Sequence, residues 1–172
     1  MFTRRYRSAL VAALALAARP SLVAAETPAQ QATGNAIVIH PVTVTKIRDM
    51  DFGYLTVIGG AGTAVLEPDT DTFSTTGGVS PVGGSPQCAE FVGAAQGSAV
   101  VNIKIPTQPS TLTRVGGTET MTVSKFTLQG QSRRALAKAD SFTFRVGGTL
   151  DVAANQVEGL YVGTFDVTVQ YP

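Results

Sequence analysis

Tyr161, Phe165, Val167, Val169 and Tyr171 all fall on odd positions at the end of the chain, with Gly163 between them. Alternate residues of a strand share a face, so this is one apolar stripe facing one side. Chain ends are usually frayed and polar. A terminal strand this apolar must be covered, either by its own domain or by another chain.

The rest of the sequence has the same period. Ala36 to Thr45 is β-branched and strand-like, with Pro41 at a bulge or an edge. Phe52 to Val57 is a second strand closed by Gly59-Gly60, and Gly62 to Glu67 and Asp71 to Thr75 flank a Pro68-Asp69 turn. Thr76 to Gln87 is rich in Gly, Pro and Ser and reads as a long loop. Ala89 to Val92, Ala99 to Ile105, Thr111 to Val115, Met121 to Leu128, Phe142 to Val146 and Thr149 to Val152 follow as strands. Gly147-Gly148 reads as a hairpin turn between the last two. The only helix-compatible stretch is Arg133 to Ala139. Strands recurring about every ten residues with turn signals between them predict an all-β fold, an antiparallel immunoglobulin-like β-sandwich. A closed barrel is the alternative.

Arg4, Arg5 and Arg7 precede an apolar run from Ser8 to Ala18, and Val23-Ala24-Ala25 suits signal peptidase. Residues 1–25 are therefore expected to be a secretory signal, 26–35 a flexible mature N-terminus, and 36–172 a single domain. No later segment has the roughly twenty apolar residues of a spanning helix, so the processed chain is expected to be exported without a transmembrane segment. Cleavage also removes Arg19, leaving nine of the 13 Lys and Arg against 12 Asp and Glu. No basic cluster suits nucleic acid.

Conventional chemistry has few carriers here. His40 is the sole histidine, Cys88 the sole cysteine, and no G-x-S-x-G elbow occurs. Glu67, Asp69 and Asp71 offer carboxylates without the spacing of a calcium loop, and read as a solvated turn. One histidine and one cysteine fall short of a zinc set. The paired glycines open no helix that could cradle a phosphate. The expectation is no enzyme, no cofactor and no metal, with Cys88 as a small apolar residue.

Met50-Asp51-Phe52-Gly53, Gly83-Gly84-Ser85-Pro86, Ala89-Glu90-Phe91, and the run from Val146 through Asn155 and Gly159 to Tyr171 together resemble the bacterial family of domain of unknown function 4402. That family's name carries no activity. A second resemblance bears on role. The C-terminus is similar to that of chaperone–usher pilus subunits, which end in an alternating apolar strand with a penultimate aromatic (here Tyr171) and a glycine fourteenth from the end (here Gly159). The Asp51-Phe52-Gly53 region is also similar to the start of archaic-type pilins and spore-coat-like secreted domains.

The pilin resemblance implies a sandwich lacking one strand. Its groove would be filled first by a periplasmic chaperone, at an outer-membrane usher, and then by a neighbour's N-terminal extension. Such a chain would self-associate into a surface filament. Gly159, Tyr161, Gly163, Phe165, Val167, Val169 and Tyr171 would border the groove, and Ala36, Val38, Val42 and Val44 would supply the donor strand. Three features depart from that pattern. A single cysteine cannot form the disulfide many pilins carry, Glu26 to Gly34 is too polar to fill an apolar groove, and His40-Pro41 interrupts the donor. Ala36 to Val44 reads equally well as the domain's own first strand. The alternative is then a self-contained secreted immunoglobulin-like surface or adhesive domain, binding a partner or glycan through its loops.

Overall fold

The computed structural model describes residues 34–138 and 141–172. The expected signal, residues 1–25, and most of the polar stretch after it lie outside them. The chain divides into a unit ending at Ile37 and a compact unit from Val38 to Pro172. In the first unit the described residues are exposed and belong to no strand.

The described residues form eleven strands and no helix: β1 Thr43–Arg48, β2 Tyr54–Glu67, β3 Thr72–Gly83, β4 Ala89–Ala94, β5 Val100–Lys104, β6 Ser110–Arg114, β7 Thr120–Leu128, β8 Arg133–Ala135, β9 Ser141–Val152, β10 Tyr161–Val162 and β11 Thr168–Gln170. Every pairing is antiparallel. A large sheet runs β1-β4-β9-β7-β6-β10, with the β2–β3 hairpin joined to β9, and a small sheet runs β11-β5-β8. This is an all-β antiparallel sandwich. Its core holds Ala64, Val79, Phe91, Ile103, Met121, Val123, Phe126, Phe144, Val146 and Leu150. Burial alternates along β4, β7 and β9, the period-two signature of strands with one face inward.

Three sequence expectations are corrected. Gly147-Gly148 is no turn, because β9 runs straight through it. A Cβ on Gly147 would lie 2.1 Å from the Leu66 carbonyl oxygen and 2.8 Å from Pro68 Cδ, and one on Gly148 would lie 2.9 Å from the Lys125 oxygen. The glycines are there so that neighbouring backbone can close onto β9. The helix-compatible stretch, which could equally have been a loop, has no helix over its described residues: its first three form a strand and 136–138 belong to no regular element. Arg133 to Ala135 pairs with β5, while the Arg134 guanidinium donates to the carbonyls of Gln129, Gln131 and Thr143 and lies over the Phe144 ring. Two turns of Ala-rich helix cannot match those tertiary bonds.

The third correction concerns the glycine-rich region. β2 does not stop at Gly59-Gly60 and β3 extends to Gly83, so most of the expected loop 76–87 is strand. The register passes from Val57↔Val79 to Gly62↔Gly77, which leaves 58–61 as a wide bulge. Gly59 takes φ +80 there, a backbone that suits glycine.

Candidate functional site

The C-terminal stripe crosses from one sheet to the other. Tyr161↔Arg114 and Val162↔Thr113 join it to β6, and then Thr168↔Lys104, Val169↔Ile103 and Gln170↔Asn102 join it to β5. Between these pairings the strand is interrupted, so the single long strand expected from the alternation is two short ones. The Ser110 hydroxyl bridges part of the gap by donating to the Thr164 carbonyl at 2.9 Å.

The alternation itself persists. Tyr161, Phe165, Val167, Val169 and Tyr171 are half-buried, whereas Thr164, Asp166, Thr168 and Gln170 are exposed. Phe165, Val167 and Val169 pack on the core with Val44. Phe165 reaches Phe126 with ring centroids 5.0 Å apart. Gly163 is exposed on one side only, since a Cβ there would lie 2.5 Å from the Thr111 oxygen and 2.6 Å from Leu112 Cδ2. Gly159 takes φ +144 against the Arg114 side chain.

Both tyrosines of the stripe fasten their hydroxyls. Tyr161 Oη donates to the Val157 carbonyl at 2.6 Å and accepts from Gln156 Nε2 at 2.7 Å. Tyr171 Oη donates to the His40 carbonyl at 2.8 Å and accepts from the Gln96 backbone N–H at 3.0 Å. The first fixes the turn before β10. The second ties the end of the stripe to the start of the compact unit.

β11 is the edge of the small sheet and β1 an edge of the large one. The two approach each other, yet each pairs only on its other side, with β5 and β4 respectively. Val44 of β1 and Val169 of β11 pack on the core, while the outer backbone edge of each strand is left unpaired, and an open edge of this kind can accept an added strand through backbone bonds.

The four candidate donor residues separate. Val44 lies in β1 opposite Gly93 of its own chain, and Val42 is half-buried just before it. Ala36 and Val38 are exposed and unpaired, Val38 at 95%. Ile37 at 88% and Ile39 at 48% are exposed as well. Both fall on the odd parity of the segment, opposite to Ala36, Val38, Val42 and Val44.

A charged cluster also escaped the sequence reading. Arg48 Nη2 lies 2.7 Å from Asp71 Oδ2, and its Nε lies 3.1 Å from Glu90 Oε2 but off hydrogen-bonding geometry. Asp71 Oδ1 accepts the Cys88 backbone N–H at 3.3 Å, and Arg145 stands 3.8 Å from Oδ2. Burial raises the Asp71 carboxyl, but the bond from Arg48, the Cys88 amide and the Arg48 charge outweigh it, and the group ends below its ordinary value. Burial, reinforced by Asp71, pushes the Cys88 thiol up to about 12. Partners 17 and 23 residues from Asp71 leave no local pattern to read. The cluster is a brace across the β2–β3 turn. No group of three or more metal-ligating side chains occurs among the described residues, and no helix among them is long and apolar enough to cross a membrane.

The family model described as Domain of unknown function (DUF4402) matches residues 42–171, which takes in β1, β11 and the whole C-terminal stripe and begins after His40. No curated protein and no solved structure matches the chain.

Proposed function

The chain belongs to the domain of unknown function (DUF4402) family, a name that assigns no activity, and on that footing we propose that it is an exported structural subunit of a bacterial surface filament. Copies join by strand addition. Residues 36–40 of one copy add to the open edge of β11 in the next. The observation that carries this reading is that one chain has both halves of such a joint: an unpaired apolar segment, Ala36 to Ile39, and an unpaired strand edge, that of β11.

Exposed apolar residues in an unpaired segment are costly to leave in water, and so is an uncovered edge. One insertion covers both. Donation from head to tail does not close on itself, so the product is a fibre and not a ring. A periplasmic chaperone strand would occupy the same edge before assembly, and an outer-membrane usher would exchange it. Export through residues 1–25 places that assembly outside the inner membrane.

The test is a comparison of the chain with its Val38→Asp variant. Wild type is expected to form ladders of multimers that survive mild denaturant. Val38→Asp is expected to abolish them with a melting temperature within a degree or two, since Val38 touches little in the monomer. A chain that stays monomeric at high concentration, and gains no stability from a peptide spanning residues 34–46, defeats the filament reading.

A second reading keeps support from β1. Val44 completes its own domain, and the C-terminal stripe packs on its own core. A self-contained surface or adhesive domain would need nothing more. It predicts a monomer unaffected by removal of residues 34–37, which lie outside the compact unit.

A further inference from the structure

The penultimate tyrosine makes two hydrogen bonds that its own strand does not need. Its hydroxyl accepts from the Gln96 backbone N–H at 3.0 Å and donates to the carbonyl of His40 at 2.8 Å. Gln96 follows β4, so Tyr171 joins the end of β11, the turn after β4 and the residue from which the exposed segment departs. His40 precedes Pro41, whose ring confines it to extended backbone. The root of the segment is thus fixed by a proline on one side and a tyrosine on the other. One residue further out Ile39 is half-exposed, and Val38 is almost wholly so.

We propose that the Tyr171–His40 hydrogen bond is a latch that sets the exit of residues 36–40 and reserves them for a second copy of this chain. This rests on the strand-addition reading above. The danger to such an assembly is closure on itself, since the segment and the empty edge belong to the same molecule and local concentration favours the near partner. With His40 held beside Tyr171, a segment lying along its own β11 must double back at Pro41. It then runs in the same direction as β11, toward Tyr171. Parallel pairing is slightly the weaker kind. A donor from another copy carries neither restriction and can enter antiparallel to β11.

Tyr171→Phe isolates the effect, because it keeps the ring and removes only the hydroxyl. The full chain, expressed with residues 1–25 in place, is collected as monomer and multimer, and backbone hydrogen exchange is followed at residues 37–39 of the monomer. In Tyr171→Phe the ratio of multimer to monomer is expected to fall about fivefold, the worth of one hydrogen bond. Exchange at residues 37–39 is expected to slow as the segment folds onto its own edge.

A Tyr171→Phe protein with wild-type multimer yield and wild-type exchange overturns the latch and leaves the filament reading standing. A lower melting temperature with exchange at 37–39 unchanged also overturns it, since the hydroxyl would then serve only packing. Wild-type chain that makes no multimer overturns latch and filament together.

Discussion

The rings of Phe91 and Phe165 meet edge to face with centroids 6.5 Å apart, one from β4 and the other from the link between β10 and β11. Phe91 in turn stacks on Phe144 at 5.3 Å, so the C-terminal segment is bonded through aromatics into the centre of the large sheet. Phe165→Ala is expected to cost about 2–3 kcal/mol, below the usual range for a fully buried ring because Phe165 is half-buried. Urea unfolding measures it. A cost under about 0.5 kcal/mol, the level of a surface change, would mean that the stripe is not part of the core.

Gly147→Ala tests the close approach over β9. The added methyl group meets backbone on the Leu66 side and cannot swing away, so a loss of about 3 kcal/mol or outright failure to fold is expected. Gly59→Ala is the contrast. Nothing lies within 4 Å of its Cβ position, and only the left-handed backbone resists, at about 1–2 kcal/mol. Equal melting temperatures for the two variants would contradict the packing described.

Asp71 gives the acid limb of stability a specific source. Its folded value lies below the ordinary 3.8 of an aspartate, so the native state holds its proton less tightly than the unfolded chain. Its contribution is present above about pH 4 and is lost as pH falls through the folded value. Asp71→Asn should lower stability at pH 7 by about 1–2 kcal/mol and flatten the decline below about pH 4. Thermal melts across that range decide it, and an unchanged acid slope would assign the effect to other carboxylates.

Cys88 should ignore thiol reagents in the folded protein. It is fully buried and its thiol is pushed up to about 12, so almost no thiolate exists at pH 8. Labelling is expected to follow the unfolding curve in urea. Rapid modification of native protein would place Cys88 at a surface the fold does not give it.

The period-two pattern made most strands legible, because a half-buried strand writes its burial into alternate residues. β4, β5 and β7 lie close to where the alternation placed them. Glycine was ambiguous. Gly116 does turn the chain between β6 and β7 at φ +77, whereas Gly147 and Gly148 sit mid-strand beneath crossing backbone, and the two uses look alike in sequence. β8 was hidden because Arg134 gains its strand from partners before and after it. The C-terminal stripe was visible in full, but its division between two sheets depends on β5 and β6, whose paired residues lie 47 to 68 positions earlier.

The arrangement of the stripe also sets an order in time. β5 has no partner on its β11 side, and Phe91 and Phe126 have no lid, until the ribosome has produced residues 165 to 171. A chain emerging from its N-terminus carries a half-made sandwich for most of its synthesis, with its aromatic centre open. Contacts so distant in sequence form late and slowly. The interval before closure is therefore a property of the topology, and during it the nascent chain is most in need of a companion.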